Sequence, residues 1–198
     1  MVDSALKMTI DQRFHVPRTP LAVVAVGDGM EALLIRAILE SLGAAVTLHL
    51  PGTPQDFLEV LAQGESAPRY IVVSGHGDRG GFLFGDYDRR IDTTMLVEGS
   101  LPADAIASRV RLPGKVVIST ACETGAEAFG AAFIRGKVAA YVAPSGSPEG
   151  TIVPLFLHCL FHQLLQRKAP LDAALRRAQA IDGEARMFVR YGAAEKGR

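Results

Sequence analysis

The sequence is poor in cysteine, has no net charge and contains no long hydrophobic run. Cys122 and Cys159 are its two cysteines, too few for a disulfide framework. A chain of 198 residues buries about 70% of its unfolded surface and needs no staple to fold. Lys and Arg number 21 and Asp and Glu 21, so the formal charge is zero. That argues against bulk phosphate-backbone binding, which usually leaves a basic stripe, and no nucleic-acid partner is expected. A small charged pocket remains compatible with neutrality. The longest apolar stretch, Ile152 to Leu165, is interrupted by Pro154, His158, His162 and Gln163. It falls short of the about 20 apolar residues of a membrane span, so no membrane partner is expected. Met1 to Lys7 shows no basic region leading into an apolar run, hence no secretory signal. A reducing cytoplasm is the expected location.

What is present is ordinary globular composition, 48% hydrophobic and 21% charged. Residues 1–20 read as a lead-in ending in Pro17-Arg18-Thr19-Pro20. Residues 21–192 read as one domain and 193–198 as a tail. Solid apolar runs predict strands at Leu21–Val26, Ala45–Leu50, Tyr70–Ser74, Lys115–Thr120 and Val138–Ala143, with a short last strand at Met187–Tyr191. Helices are predicted over Glu31–Leu42, from Thr53-Pro54 to Leu61, and over Pro102–Val110, Ala126–Ile134, Thr151–Gln166 and Leu171–Ile181. Asp78 to Ser100, rich in Gly and Asp, reads as a hairpin or extended loop.

Alternating apolar strands and helices predict an α/β fold. The expected form is a three-layer α/β/α sandwich around a mostly parallel six-stranded sheet. In such sheets the chemistry gathers at the carboxyl ends of the strands. The turns there are Gly27-Asp28-Gly29, Ser74-Gly75-His76-Gly77, Ala121-Cys122-Glu123-Thr124-Gly125 and Pro144-Ser145-Gly146-Ser147.

A histidine and a cysteine at the ends of adjacent parallel strands can meet across a cleft. A thiol then needs a base for its proton and backbone N–H groups for the oxyanion. Gly77 lets the chain pass close to a carbonyl. Cys122 precedes a helix, whose N-terminus favours a thiolate. Cys122 can equally be a small packed residue at a strand end. His76 can equally be a turn histidine bonded to a carbonyl. Cys159, between Leu157 and Leu160, reads as core. His158 and His162 have metal-ligand spacing, but no Glu follows the first and no third ligand is evident, so no metal or other cofactor is expected. The helix around them is apolar nearly all round, and such a helix is covered by a core or an interface. A homodimer is one expectation from it.

The strand ending in Ser-Gly-His-Gly (Tyr70 to Gly77) and, 46 positions after the histidine, the strand ending in Thr-Ala-Cys-Glu-Thr-Gly (Lys115 to Gly125) resemble the caspase-like (clan CD) cysteine peptidases. These include caspases, legumain, gingipain, separase and bacterial CHAT domains. The Ala-Cys-Glu-Thr-Gly string, with Ala-Leu-Arg-Arg-Ala-Gln at 174–179, looks most like the CHAT type. The resemblance spans about residues 21–192. It implies that Cys122 is the nucleophile and His76 the general acid–base, with the N–H groups of Gly77 and Cys122 as the oxyanion hole. It implies a histidine-orienting role for Asp28, which could equally cap the following helix. The segment after the fifth strand commonly lines the substrate groove, which points to Ser145 and Ser147. Glu149, Asp86 and Asp88 are acids near the right loops for a basic substrate side chain. CHAT domains often carry a Trp and an acid after that strand, and this sequence has no Trp.

The resemblance therefore implies a cysteine endopeptidase or related acyl-transfer hydrolase that cleaves through a thioester, with a peptide or protein as substrate. The alternative is a non-catalytic signalling or scaffold module on the same fold. The helical repeats that accompany CHAT domains are absent, so any recruiting or regulatory partner protein is expected on another chain. A receiver domain is disfavoured, because the third strand ends in His76 where a phosphoacceptor Asp would stand.

Overall fold

The computed structural model describes residues 17–27 and 29–193. Most of the expected lead-in, the end of the tail and Asp28 lie outside the described residues. The chain opens with β1 (Thr19–Val26), α1 (Gly29–Ser41), β2 (Ala44–His49), α2 (Pro54–Val60) and β3 (Tyr70–Gly75). Three short strands follow: β4 (Gly77–Asp78), β5 (Gly81–Leu83) and β6 (Ser100–Leu101). The second half contains α3 (Ala103–Arg109), β7 (Val116–Ser119), α4 (Glu127–Arg135), β8 (Ala140–Pro144), α5 (Ile152–Phe161), α6 (Leu171–Gln179) and β9 (Phe188–Tyr191).

The main sheet has six strands in the order β2-β1-β3-β7-β8-β9. All neighbours pair in parallel except β9, which runs antiparallel to β8. The strands are apolar on both faces because both faces are covered. On β1, Leu21, Val23 and Ala25 enter one core with residues of α1, α5 and α6. Ala22, Val24 and Val26 enter the other with residues of α2, α3 and α4. This is the expected three-layer α/β/α sandwich.

Local signals explain most boundaries. Thr53 Oγ1 accepts the N–H of Asp56 at 3.1 Å, and Pro54 starts α2. The single long helix expected over Thr151–Gln166 is instead α5 followed by a π turn over His162–Gln166. The turn closes with Arg167 N–H on His162 C=O at 3.2 Å. Gln166 Nε2 then donates to Leu42 C=O at 2.6 Å, tying the turn to the end of α1. Val153, Phe156, Leu157, Leu160 and Phe161 of α5 are buried in the chain's own core, whereas Leu155 is 59% exposed. The apolar character of this helix is thus largely used within the chain. Cys159 is half-buried against that core. No helix among the described residues is long and apolar enough to cross a membrane.

The stretch between β3 and α3 is part hairpin and part loop. β4 and β5 form an antiparallel pair, and β6 adds to β5. Phe82 anchors this small sheet to the α2–α4 core, with Phe57 at 5.5 Å and Phe129 at 5.9 Å between ring centroids.

The short edge strand β9 depends on one aromatic stack: Phe188 lies parallel to Phe156 with centroids 3.7 Å apart, and both are fully buried. Phe188→Ala is expected to cost about 3–5 kcal/mol, measured as a lowered urea midpoint with an unchanged slope.

Candidate active site

The register of the central strands decides the geometry of the carboxyl edge. β3 and β7 pair from Tyr70↔Val116 to Val73↔Ser119, an offset of 46 residues. The last bond of this ladder is Thr120 N–H on Val73 C=O at 2.9 Å. In sequence, the same offset of 46 relates Ser74 to Thr120 and His76 to Cys122. His76 and Cys122 thus each follow the carboxyl end of one of two neighbouring strands, which lie about 4.8 Å apart. His76 is exposed and Cys122 half-buried.

Contacts past the strand ends keep them together. A Cβ built on Gly77 would lie 2.5 Å from Cys122 O and 3.0 Å from Ala121 Cβ. Only glycine allows that approach. The chain after His76 is held in turn by the small sheet: Leu83 N–H donates to His76 C=O at 3.1 Å. Asp78 Oδ1 accepts from the N–H groups of Gly80 at 2.8 Å and Gly81 at 3.0 Å, and from Ser100 Oγ at 3.1 Å.

The turn that carries Cys122 is specified almost atom by atom. Ala121 N–H donates to Ser119 Oγ (3.2 Å), Glu123 N–H to Gly146 C=O (3.0 Å) and Thr124 N–H to Ala121 C=O (3.4 Å). Gly125 N–H donates to Pro144 C=O (2.8 Å) and Ala126 N–H to Glu123 C=O (3.2 Å). Among the described residues, the N–H of Cys122 alone in this turn has no acceptor. Buried Thr124 Oγ1 also donates to Ala121 C=O at 2.7 Å. Tyr141 donates to Thr124 C=O at 3.0 Å and Tyr191 to Gly125 C=O at 2.6 Å. Burial pushes the Tyr141 hydroxyl well above its ordinary range, so it stays a donor. Glu123 takes the left-handed conformation at φ 64°, a sharp bend directly after the cysteine. α4 starts beyond this turn, with Ala126 as its N-cap.

The remaining expected site residues fall at the same edge or close to it. Ser145, Ser147 and Glu149 follow β8, and all three are exposed. Ser145 Oγ is bonded to Met187 C=O at 3.1 Å, and Glu149 N–H donates to Glu184 Oε2 at 2.5 Å. Asp86 and Asp88 lie in the loop between β5 and β6. Asp88 is engaged by Arg90 at 2.9 Å, and that bond lowers its pKa. His158 is exposed on α5. Among the described residues no three His, Cys, Asp or Glu side chains converge as a metal site requires.

Sequence reasoning missed a carboxylate. Glu31, in the first turn of α1, accepts through Oε2 from Ser74 Oγ at 2.5 Å and from Thr120 Oγ1 at 2.9 Å. The available signal was a hydroxyl residue two positions before His76 and another two before Cys122.

The Arg-specific cysteine proteinase gingipain R superposes with a TM-score of 0.58 at 13% identity, over 89% of this chain and 46% of that one. The Saccharomyces cerevisiae separase–securin complex gives 0.56 at 12% identity, over 89% and 12%. The complex of Porphyromonas gingivalis RgpB pro- and mature domains gives 0.56 at 12%, over 89% and 47%. The chain shares its fold with these proteins. The chain spans less than half the length of each of these structures, and at this identity the likeness is one of fold. No protein-family profile matches the chain. No curated protein matches it in sequence.

The close approach at Gly77 is directly measurable. Gly77→Ala forces the His76 and Cys122 backbones apart and is expected to destabilise by about 1–3 kcal/mol. Gly150→Ala, with open space around its Cβ, is expected to stay within about 0.5 kcal/mol. Equal denaturation midpoints for the two variants would contradict the packing described.

Proposed function

We propose that this chain is a caspase-like cysteine endopeptidase of CHAT type, or a related acyl-transfer hydrolase, with Cys122 as nucleophile and His76 as general acid–base. The observation that carries the reading is the shared offset: the strand register and the His–Cys spacing are the same 46 residues. The unused N–H of Cys122 supports it, as does the fold shared with cysteine proteinases.

In this reading His76 takes the Cys122 proton as sulfur attacks the substrate carbonyl. The N–H groups of Cys122 and Gly77 receive the oxyanion of the tetrahedral intermediate. His76 returns the proton to the leaving amine, and a thioester remains on Cys122. Water, deprotonated by His76, then attacks the thioester and releases the acid. The resemblance gives the orienting of His76 to Asp28, which lies outside the described residues. Ser145, Ser147 and Glu149 line the groove for a peptide or protein substrate. Gingipain and separase were solved with a pro-domain and with securin respectively, and a regulatory protein partner is proposed for this chain by analogy. A cytoplasmic location belongs to the same proposal, since a reducing compartment suits two cysteines that are not paired with each other.

Alkylation by iodoacetamide, read separately at each cysteine by mass spectrometry, tests the dyad. Burial pushes the Cys159 thiol up, with Arg177 opposing more weakly, so Cys159 reacts slowly at neutral pH whatever Cys122 does. The deciding comparison is therefore His76→Ala, expected to slow Cys122 labelling roughly ten-fold or more. Cys122→Ala is expected to abolish peptide cleavage with the melting transition retained. Cys122 labelling indifferent to His76→Ala, with no cleavage of a peptide library, would establish the scaffold alternative.

A further inference from the structure

We propose that Glu31 is a positioning residue. Its carboxylate clamps the two strand ends that carry His76 and Cys122, through the hydroxyls of Ser74 and Thr120. The proposal rests on the dyad reading above and adds the device that holds the dyad in register.

The main-chain ladder between β3 and β7 ends with Thr120 N–H on Val73 C=O. Beyond it the chains part. One enters the small sheet at Gly77, the other the tight turn at Ala121. Ser74 and Thr120 are the last level pair before that divergence, and each stands two residues before a member of the dyad. Both are buried, at 0% and 3% exposure, and a buried hydroxyl must find a partner. They find the same oxygen, Glu31 Oε2, at 2.5 Å and 2.9 Å. Gly75 N–H adds a longer bond to Thr120 Oγ1 at 3.4 Å. A hydrogen-bonded path therefore runs from one arm of the dyad to the other through a single carboxylate. Bonds to a carboxylate are about twice as strong as neutral ones. Glu31 is half-buried and forms no ion pair among the described residues. The first turn of a helix favours an acid there, but the helix dipole asks nothing of Ser74 or Thr120. The convergence of both hydroxyls on one oxygen needs a reason of its own, and positioning supplies it.

Labelling of Cys122 by iodoacetamide as a function of pH, with Cys159 as internal reference, tests the clamp. Glu31→Ala is expected to slow Cys122 roughly ten-fold or more and to change its pH–rate profile, with Cys159 unaffected. Glu31→Gln keeps an acceptor oxygen at the same place and is expected to recover most of the rate, which a general loss of packing would not allow. Ser74→Ala and Thr120→Val should each slow Cys122 in the presence of Glu31 and add nothing in Glu31→Ala. A wild-type rate and profile in folded Glu31→Ala overturns the proposal, as does an equal loss in Glu31→Gln and Glu31→Ala. If Glu31→Ala does not melt cooperatively, the single hydroxyl variants decide, and wild-type labelling in both overturns it. His76→Ala separates the two readings. If it too leaves Cys122 unchanged, the dyad fails and the clamp with it; if it slows Cys122 while Glu31→Ala does not, the clamp alone fails.

Discussion

The parallel register of β3 against β7 is the constraint on which the candidate site depends. Each of the four paired positions on either strand is buried. Tyr70, Val72, Val116 and Ile118 face one core, and Ile71, Val73 and Val117 the other. A slip of one residue would exchange the two faces of a strand. A slip of two would keep the faces but leave Ser74 and Thr120 out of level. Hydrophobic burial cannot by itself distinguish registers two apart as sharply as one apart. Polar contacts at the strand ends are suited to that second task, and they concentrate here at the carboxyl edge.

The edge is held chiefly by main-chain hydrogen bonds and close backbone approaches rather than by ion pairs. Gly77 lies against Cys122 O, and Gly125 lies so close to β8 that a Cβ would come within 2.6 Å of Ala143 O. Tyr141 and Tyr191 take up carbonyls of the Cys122 turn. This agrees with a chain of zero net charge, because such a site needs no excess of either sign. Long-range charge steering is correspondingly weak.

Much of this was legible in the sequence, for a physical reason. Strands buried on both faces are continuous apolar runs, so β1, β3, β7 and β8 are visible without any contact information, and their alternation with helices specifies the layers. The spacing from His76 to Cys122 was also visible, but its identity with a strand offset was not, since register is a property of pairing. The interior of the Asp78–Ser100 segment was opaque because its order comes from single contacts, such as Asp78 to Ser100 and Phe82 to Phe57, not from periodicity. The π turn after α5 was hidden for a similar reason: His162–Gln166 has helical composition, and its departure coincides with a tertiary bond from Gln166 to Leu42.

Glu31 illustrates the limit most sharply. In sequence it is an unremarked acid in a helix's first turn, 43 residues from Ser74 and 89 from Thr120. Nothing local distinguishes it from a residue serving the helix dipole. Its partners are recognisable only once β3 and β7 lie side by side with the first turn of α1 at their ends. The order of causation therefore runs from the apolar faces, which choose the layer and the face, to the shared oxygen, which can choose among the registers the faces allow. A carboxylate suits that role better than a further apolar contact, because a hydrogen bond weakens steeply with distance and angle whereas apolar burial varies smoothly with area.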